Sequence, residues 1–294
     1  MRPNVRAALL MIAASFFMAA VTLLAKGLAG RFDIAGAQDL HPLQVTAGRF
    51  IFGCCVWVSF ALITRLRLQQ VHWRLHVVRT FFGWTTVTAV FWAGSLMALA
   101  DATAISFLTP VVTLVLALAF LGERVGWAKG LAVAIMLIGA LVLLRPGTSA
   151  FQPAALIALT AAVTSAIEAI FIKRLSMIED RFQILLVNNL IGLPLAVGAA
   201  AFVWVWPVPI QWLTLVLVGL GMAGAQFFFL GSMRQADASF VVPFMYSVLI
   251  FATVLDFVVF GDAPDWIGGV GAMIIVGGAI LLALRDGRAS QSKA

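Results

Sequence analysis

Met97-Ala-Leu-Ala-Asp-Ala102 and Met233-Arg-Gln-Ala-Asp-Ala238 decide the fold. The two stretches stand 136 residues apart, and each punctuates a long apolar run. The same offset pairs Gly83 with Gly219 and Phe91 with Phe227. After a slip of three residues, Gly122-Glu123 meets Gly261-Asp262 and Trp127 meets Trp266. Gly130 then meets Gly269, and Gly139-Ala140 meets Gly278-Ala279. Glycine and tryptophan recur by chance less readily than leucine or alanine, and the matches keep one order. The chain therefore reads as a duplication, residues 1–147 followed by residues 148–294.

Composition says what surrounds each copy. The 294 residues are 63% hydrophobic and 11% charged, with a mean hydropathy of +1.08. A soluble domain is about half apolar and a quarter charged. The apolar runs are continuous and near 20 residues, the length a helix needs to cross about 30 Å of hydrocarbon. Membrane-spanning strands would instead show alternating ten-residue segments. The expected fold is an all-α membrane protein with ten transmembrane helices, near 7–28, 43–64, 77–98, 102–121, 127–144, 153–173, 182–204, 211–232, 237–260 and 265–284. Arg2 and Arg6 precede an apolar run to Ala25 that is longer than a secretory signal core, so it reads as the first span.

The weakest division is the one at Ala100-Asp101-Ala102, where merging two spans would leave nine. Charge favours ten. With both termini in the cytoplasm, fifteen Lys and Arg fall on that side: Arg2, Arg6, Arg65, Arg67, Arg74, Arg79, Arg124, Lys129, Lys173, Arg174, Arg181, Arg234, Arg285, Arg288 and Lys293. Only Lys26, Arg31, Arg49 and Arg145 fall on the other. That is a positive-inside pattern for a bacterial inner-membrane protein, and merging spans would spoil it. The +7 net charge is dispersed between apolar runs, which speaks against a nucleic-acid surface. Five is odd, so the second copy enters the membrane from the opposite side. Inverted five-helix repeats around a central cavity are a secondary-transporter architecture.

The stretch Leu99-Ala-Asp-Ala-Thr-Ala-Ile-Ser-Phe-Leu-Thr-Pro110, with Leu121-Gly-Glu-Arg124 after it, resembles the EamA-type members of the drug/metabolite transporter superfamily. Lys26, Arg49 and Arg145-Pro-Gly147 add to the resemblance, which extends through essentially the whole chain. The second copy departs from it, with Gly261-Asp262-Ala263-Pro264 where Gly-Glu-Arg would stand. The resemblance implies a proton- or gradient-coupled carrier, or a facilitator, for small metabolites. Bacterial relatives of this kind include amino-acid exporters, riboflavin importers and S-adenosylmethionine transporters. It also implies a cavity among spans 1, 3, 4, 6, 8 and 9, with spans 5 and 10 peripheral.

Ionisable groups inside spans are costly and are functional candidates. Glu168 stands among Ile167, Ala169 and Ile170, as a protonatable carboxylate or one that meets a substrate ammonium. Its bland reading is a snorkelling residue one turn from Lys173. Lys26 and Asp256 end on the same side, which makes them a candidate gating pair or a structural one. Thr85, Thr88, Trp92 and Ser95 share one face of span 3. Ser106, Thr109 and Pro110 in span 4, Gln226 and Phe227 in span 8, and Pro243 and Tyr246 in span 9 complete the candidate cavity lining. Helix packing is the alternative for all of them. Asp101 and Asp237 read as caps before spans. Small residues at Gly126, Gly130 and Ala134 suit close packing, with homodimer formation as the lesser reading beside a monomer.

Other chemistries lack their residues. Gly219-Leu-Gly-Met-Ala-Gly224 has the lettering of a dinucleotide fingerprint but no preceding strand, and no P-loop is present. Cys54 and Cys55 are adjacent, which excludes an ordinary disulfide. His72 and His76 have no third ligand nearby in sequence, so no metal or other cofactor is expected. Nor is an enzyme, for want of a nucleophile–base pair. The expectation is alternating-access transport of a small molecule, with export of hydrophobic or aromatic amino acids favoured. Riboflavin or S-adenosylmethionine uptake is the alternative, and a non-transporting assembly subunit is the reading from another class.

Overall fold

The computed structural model describes residues 3–32, 34, 36–96, 109, 112, 116, 127–144, 153–241, 244–245, 247–261, 266–267, 269–271, 273–274 and 277–278. In chain order the helices are α1 (Pro3–Lys26), α2 (Pro42–Thr64), α3 (Trp73–Leu96), α4 (Trp127–Leu144), α5 (Pro153–Ile178), α6 (Arg181–Ala200), α7 (Pro209–Met233), the single turn α8 (Ala238–Val241) and α9 (Ser247–Phe260). Among the described residues, five helices are long and apolar enough to cross a membrane. They are α1, α2, α5, α6 and α7. Helix α3 is as long as α1, at 24 residues, but carries Arg74 and Arg79. Most of the expected spans 4 and 10 and the division at Asp101 lie outside the described residues, so the count of ten spans does too.

Local chemistry places the ends. Pro42 opens α2 while the Leu43 amide donates to His41 Nδ1 at 3.2 Å. Arg65 stops it in the left-handed region (φ 51°), donating its amide to the Ala61 and Leu62 carbonyls. Asp180 caps α6 by accepting from the Phe182 amide at 2.8 Å. Gly261 (φ 72°) ends α9, a conformation that favours glycine.

Helix α1 lies along α7 and α9, α3 lies along α5 and α6, and α2 packs on α6 and α7. These contacts are close because one partner is often glycine. A β-carbon at Gly53 would stand 2.8 Å from Asn189 Oδ1, and one at Gly219 would enter the Phe52 side chain. Buried apolar residues form separate patches. One joins Ala7, Met11, Trp57, Ile184, Leu230 and Phe240. Another joins Val21, Leu28, Phe91, Leu215 and Val218. Outward-facing Leu62, Ile63, Phe202 and Val258 are each more than 70% exposed. A water-facing surface would not carry them so densely, whereas lipid accepts them.

Candidate functional site

Between the apolar patches runs a polar seam shared by α2, α3, α5 and α6. Helical spacing puts Thr46, Arg49 and Gly53 on one stripe of α2, and His76, Arg79, Thr80 and Gly83 on one stripe of α3. Thr164 and Glu168 are one turn apart on α5. The Thr80 hydroxyl donates to Asn188 Oδ1 at 3.0 Å. The Thr86 and Thr164 hydroxyls meet at 2.8 Å, and those of Thr88 and Thr46 at 3.4 Å. Each bond joins two helices, so the seam is a tertiary feature.

Three charges sit in it. Arg49 is 4% exposed and Arg79 1%. Both act electrostatically on Glu168, a half-buried residue of α5. Gly83 makes the room: a β-carbon there would stand 2.5 Å from Glu168 Oε1. Nε and Nη1 of both arginines are buried without a hydrogen-bond partner among the described residues, as is Asn188 Nδ2. Native interiors rarely leave such donors unmade.

The bland partner for Glu168 is occupied elsewhere. Lys173 Nζ donates to the Met233 and Ala236 carbonyls at 2.9 and 2.7 Å, holding the α7 end.

The other sequence candidates disperse. Thr88 is in the seam, but the Thr85 hydroxyl bonds its own helix at the Phe81 carbonyl. Trp92 is 39% exposed and stands edge-on to the His41 ring, 5.5 Å between centroids. Ser95 is exposed and donates to the Trp92 carbonyl. Thr109 is buried and donates to the Ala162 carbonyl of α5 at 3.2 Å. Gln226 is buried. Phe227 stacks on Trp57 (6.4 Å, 21°) beside Phe182, under the Arg181 guanidinium. Ser106, Pro110, Pro243 and Tyr246 lie outside the described residues. Lys26 pairs with Asp256 at 2.9 Å, tying α1 to α9.

The charge tally needs one correction. In sequence Arg49 and Arg79 read as flanking charges, but both are buried among helices. Arg49 stands seven residues inside α2 and Arg79 six inside α3, so depth in the run was the available signal. Asn188-Asn189 in the middle of α6 gave the same signal.

At the hairpins that close α2–α3 and α5–α6, Glu179 gathers both histidines. Its Oε1 meets the His72 amide at 2.8 Å and ring Nδ1 at 2.9 Å. Its Oε2 meets His76 Nε2 at 2.9 Å and Gln183 Nε2 at 2.7 Å. Burial works to raise the Glu179 carboxyl, but these four bonds outweigh it and bring its pKa down to about 2. Among the described residues no cluster of His, Cys, Asp and Glu suits a metal ion. Near the opposite end, a cavity of about 290 Å³ lies under the α1–α2 turn, lined in part by Gly30, Arg31, Asp39 and Gln211. It is separate from the charged seam.

The model of the EamA-like transporter family matches residues 5–145 and 152–284. The chain belongs to that family: it is a multi-pass membrane transporter. It is 27% identical over 264 residues to an S-adenosylmethionine uptake transporter of Rickettsia prowazekii, covering 86% of this chain and 87% of that one. It is also 27% identical to a riboflavin transporter of Rhizobium johnstonii, covering 85% and 84%. A solved crystal structure superposes with a TM-score of 0.71 at 25% identity, covering 92% of this chain and 98% of that one.

Proposed function

We propose that this transporter takes up S-adenosylmethionine, or a metabolite of the same charged kind, through a central site between two inverted halves. The observation that carries this reading is Glu168, a carboxylate packed between α5 and α3 at Gly83, beside the buried Arg49 and Arg79. Charge that deep is retained for a pathway or a charged substrate. S-adenosylmethionine offers a sulfonium and an ammonium to such a carboxylate. Riboflavin carries no charge to match it and is the second reading, kept because riboflavin transporters are among the similar proteins.

The two-halves reading has its own support in the helix pairing. Exchanging each helix for its counterpart five spans on turns the α1–α7 contact into α5–α3, and the α2–α7 contact into α6–α3. Arg49, Arg79 and Gly83 belong to the first half, and Glu168 and Asn188 to the second. A site divided in this way opens to either side as the halves rock. Export of aromatic amino acids loses its basis, since Trp92 and Phe227 do not join Glu168 and the similar proteins named for transported solutes carry S-adenosylmethionine or riboflavin.

The test is counterflow in proteoliposomes with labelled S-adenosylmethionine, riboflavin and a panel of amino acids. S-adenosylmethionine exchange supports the reading. Exchange of riboflavin or amino acids alone overturns it.

A further inference from the structure

Arg49 and Arg79 bring more positive charge into the seam than Glu168 removes. Their Nε and Nη1 atoms are buried with no acceptor among the described residues, and both side chains are more than nine-tenths buried. Unmade donors of this kind are costly. Guanidinium groups are matched by planar oxyanions that accept two parallel bonds. Glu168 stands on the facing half, close enough to act on both arginines electrostatically, yet it forms no hydrogen bond with either.

Resting on the uptake reading above, we infer that Arg49 and Arg79 are the subsite for the substrate's α-carboxylate and Glu168 receives its α-ammonium. The element recognised is then an α-amino-acid head. A phosphate dianion in the same place would meet Glu168 as a like charge, and a neutral ring system would leave the arginines unmatched. The zwitterion answers both signs. It also bridges the halves, because the arginines stand on α2 and α3 and the carboxylate on α5.

The test uses the wild-type chain in proteoliposomes exchanging labelled S-adenosylmethionine. Two competitors are compared: S-adenosylhomocysteine, which keeps the head and lacks the sulfonium, and decarboxylated S-adenosylmethionine, which keeps both cations and lacks the carboxylate. The decarboxylated compound is expected to compete at least about tenfold more weakly than S-adenosylmethionine. In Arg79→Gln that gap should fall below about threefold. Equal competition by the decarboxylated compound in the wild-type chain overturns the subsite while leaving the uptake reading standing. If S-adenosylmethionine does not exchange at all, the uptake reading falls. The subsite is then decided by thermal stabilisation with α-amino acids against their matching amines. Stabilisation by the amino acids alone supports it, and any other result overturns it.

Discussion

The Glu168 carboxylate lies against the α-carbon of Gly83, so closely that a β-carbon there would stand 2.5 Å from Oε1 and 2.8 Å from Cδ. The missing side chain on one helix is the space for the charged one on the next. Two opposed effects follow for Gly83→Ala. Alanine favours the helix by about 1 kcal/mol, and the carboxylate, at the end of a flexible side chain, moves aside. The melting temperature in detergent should hold or rise slightly, while counterflow falls by about tenfold or more. Unchanged counterflow would show that the position of Glu168 does not matter for transport.

Glu168→Gln keeps the shape and removes the charge. Flux should drop by about 10- to 100-fold, with the protein still monodisperse and folded. Flux measured against pH should lose any dependence that Glu168 supplies. A variant with wild-type rates and an unchanged pH profile would remove Glu168 from the mechanism.

Lys26 and Asp256 join α1 to α9 with side chains 11% and 16% exposed. Lys26→Ala leaves a mostly buried carboxylate facing a lost cation, so the penalty exceeds that of an exposed pair. Lys26→Ala and Asp256→Ala should each lower the melting temperature, and the double variant should cost less than the sum. A coupling of about 1 kcal/mol or more is expected from the cycle. Strict additivity would mean that the pair stabilises nothing.

Glu179 ties the α2–α3 connection to the α5–α6 hairpin. Burial opposes its ionisation, but bonds from His76, the His72 amide, Gln183 and the His72 ring hold the pKa near 2 against an ordinary 4.5. A depressed carboxylate pKa stabilises the folded state above about pH 4.5, and that stability is lost as pH falls toward 2. At neutral pH Glu179→Gln should cost on the order of 2–3 kcal/mol. The variant should also lack the part of the wild-type decline in melting temperature that falls between pH 4.5 and 2. Parallel declines in both proteins would count against the latch.

Much of the fold was legible because a bilayer leaves few solutions. Apolar runs of about 20 residues must be helices, and α1, α2, α4 and α5 begin within about four residues of where hydropathy starts them. Lys26 and Asp256 were traceable as partners because both end their runs on one side. The candidate site was legible only at Glu168 and Thr88. Hydroxyls and aromatics on span 3 looked alike in sequence, yet Thr85 bonds its own backbone and Trp92 stands at the His41 ring. A threonine on a membrane helix satisfies itself one turn back as readily as it faces a cavity.

The sequence by itself determined a chain of membrane helices, because hydropathy is a local quantity that any packing must respect. Only the tertiary structure decided that Arg49 and Arg79 leave the flanks for the interior and act on Glu168. It also decided that Gly83 rather than a polar neighbour makes that carboxylate's place, and that Glu179 collects two histidines more than a hundred residues away. The physical reason is range. Helix formation is settled within a few turns, whereas a buried charge is tolerable only beside partners that other helices bring to it.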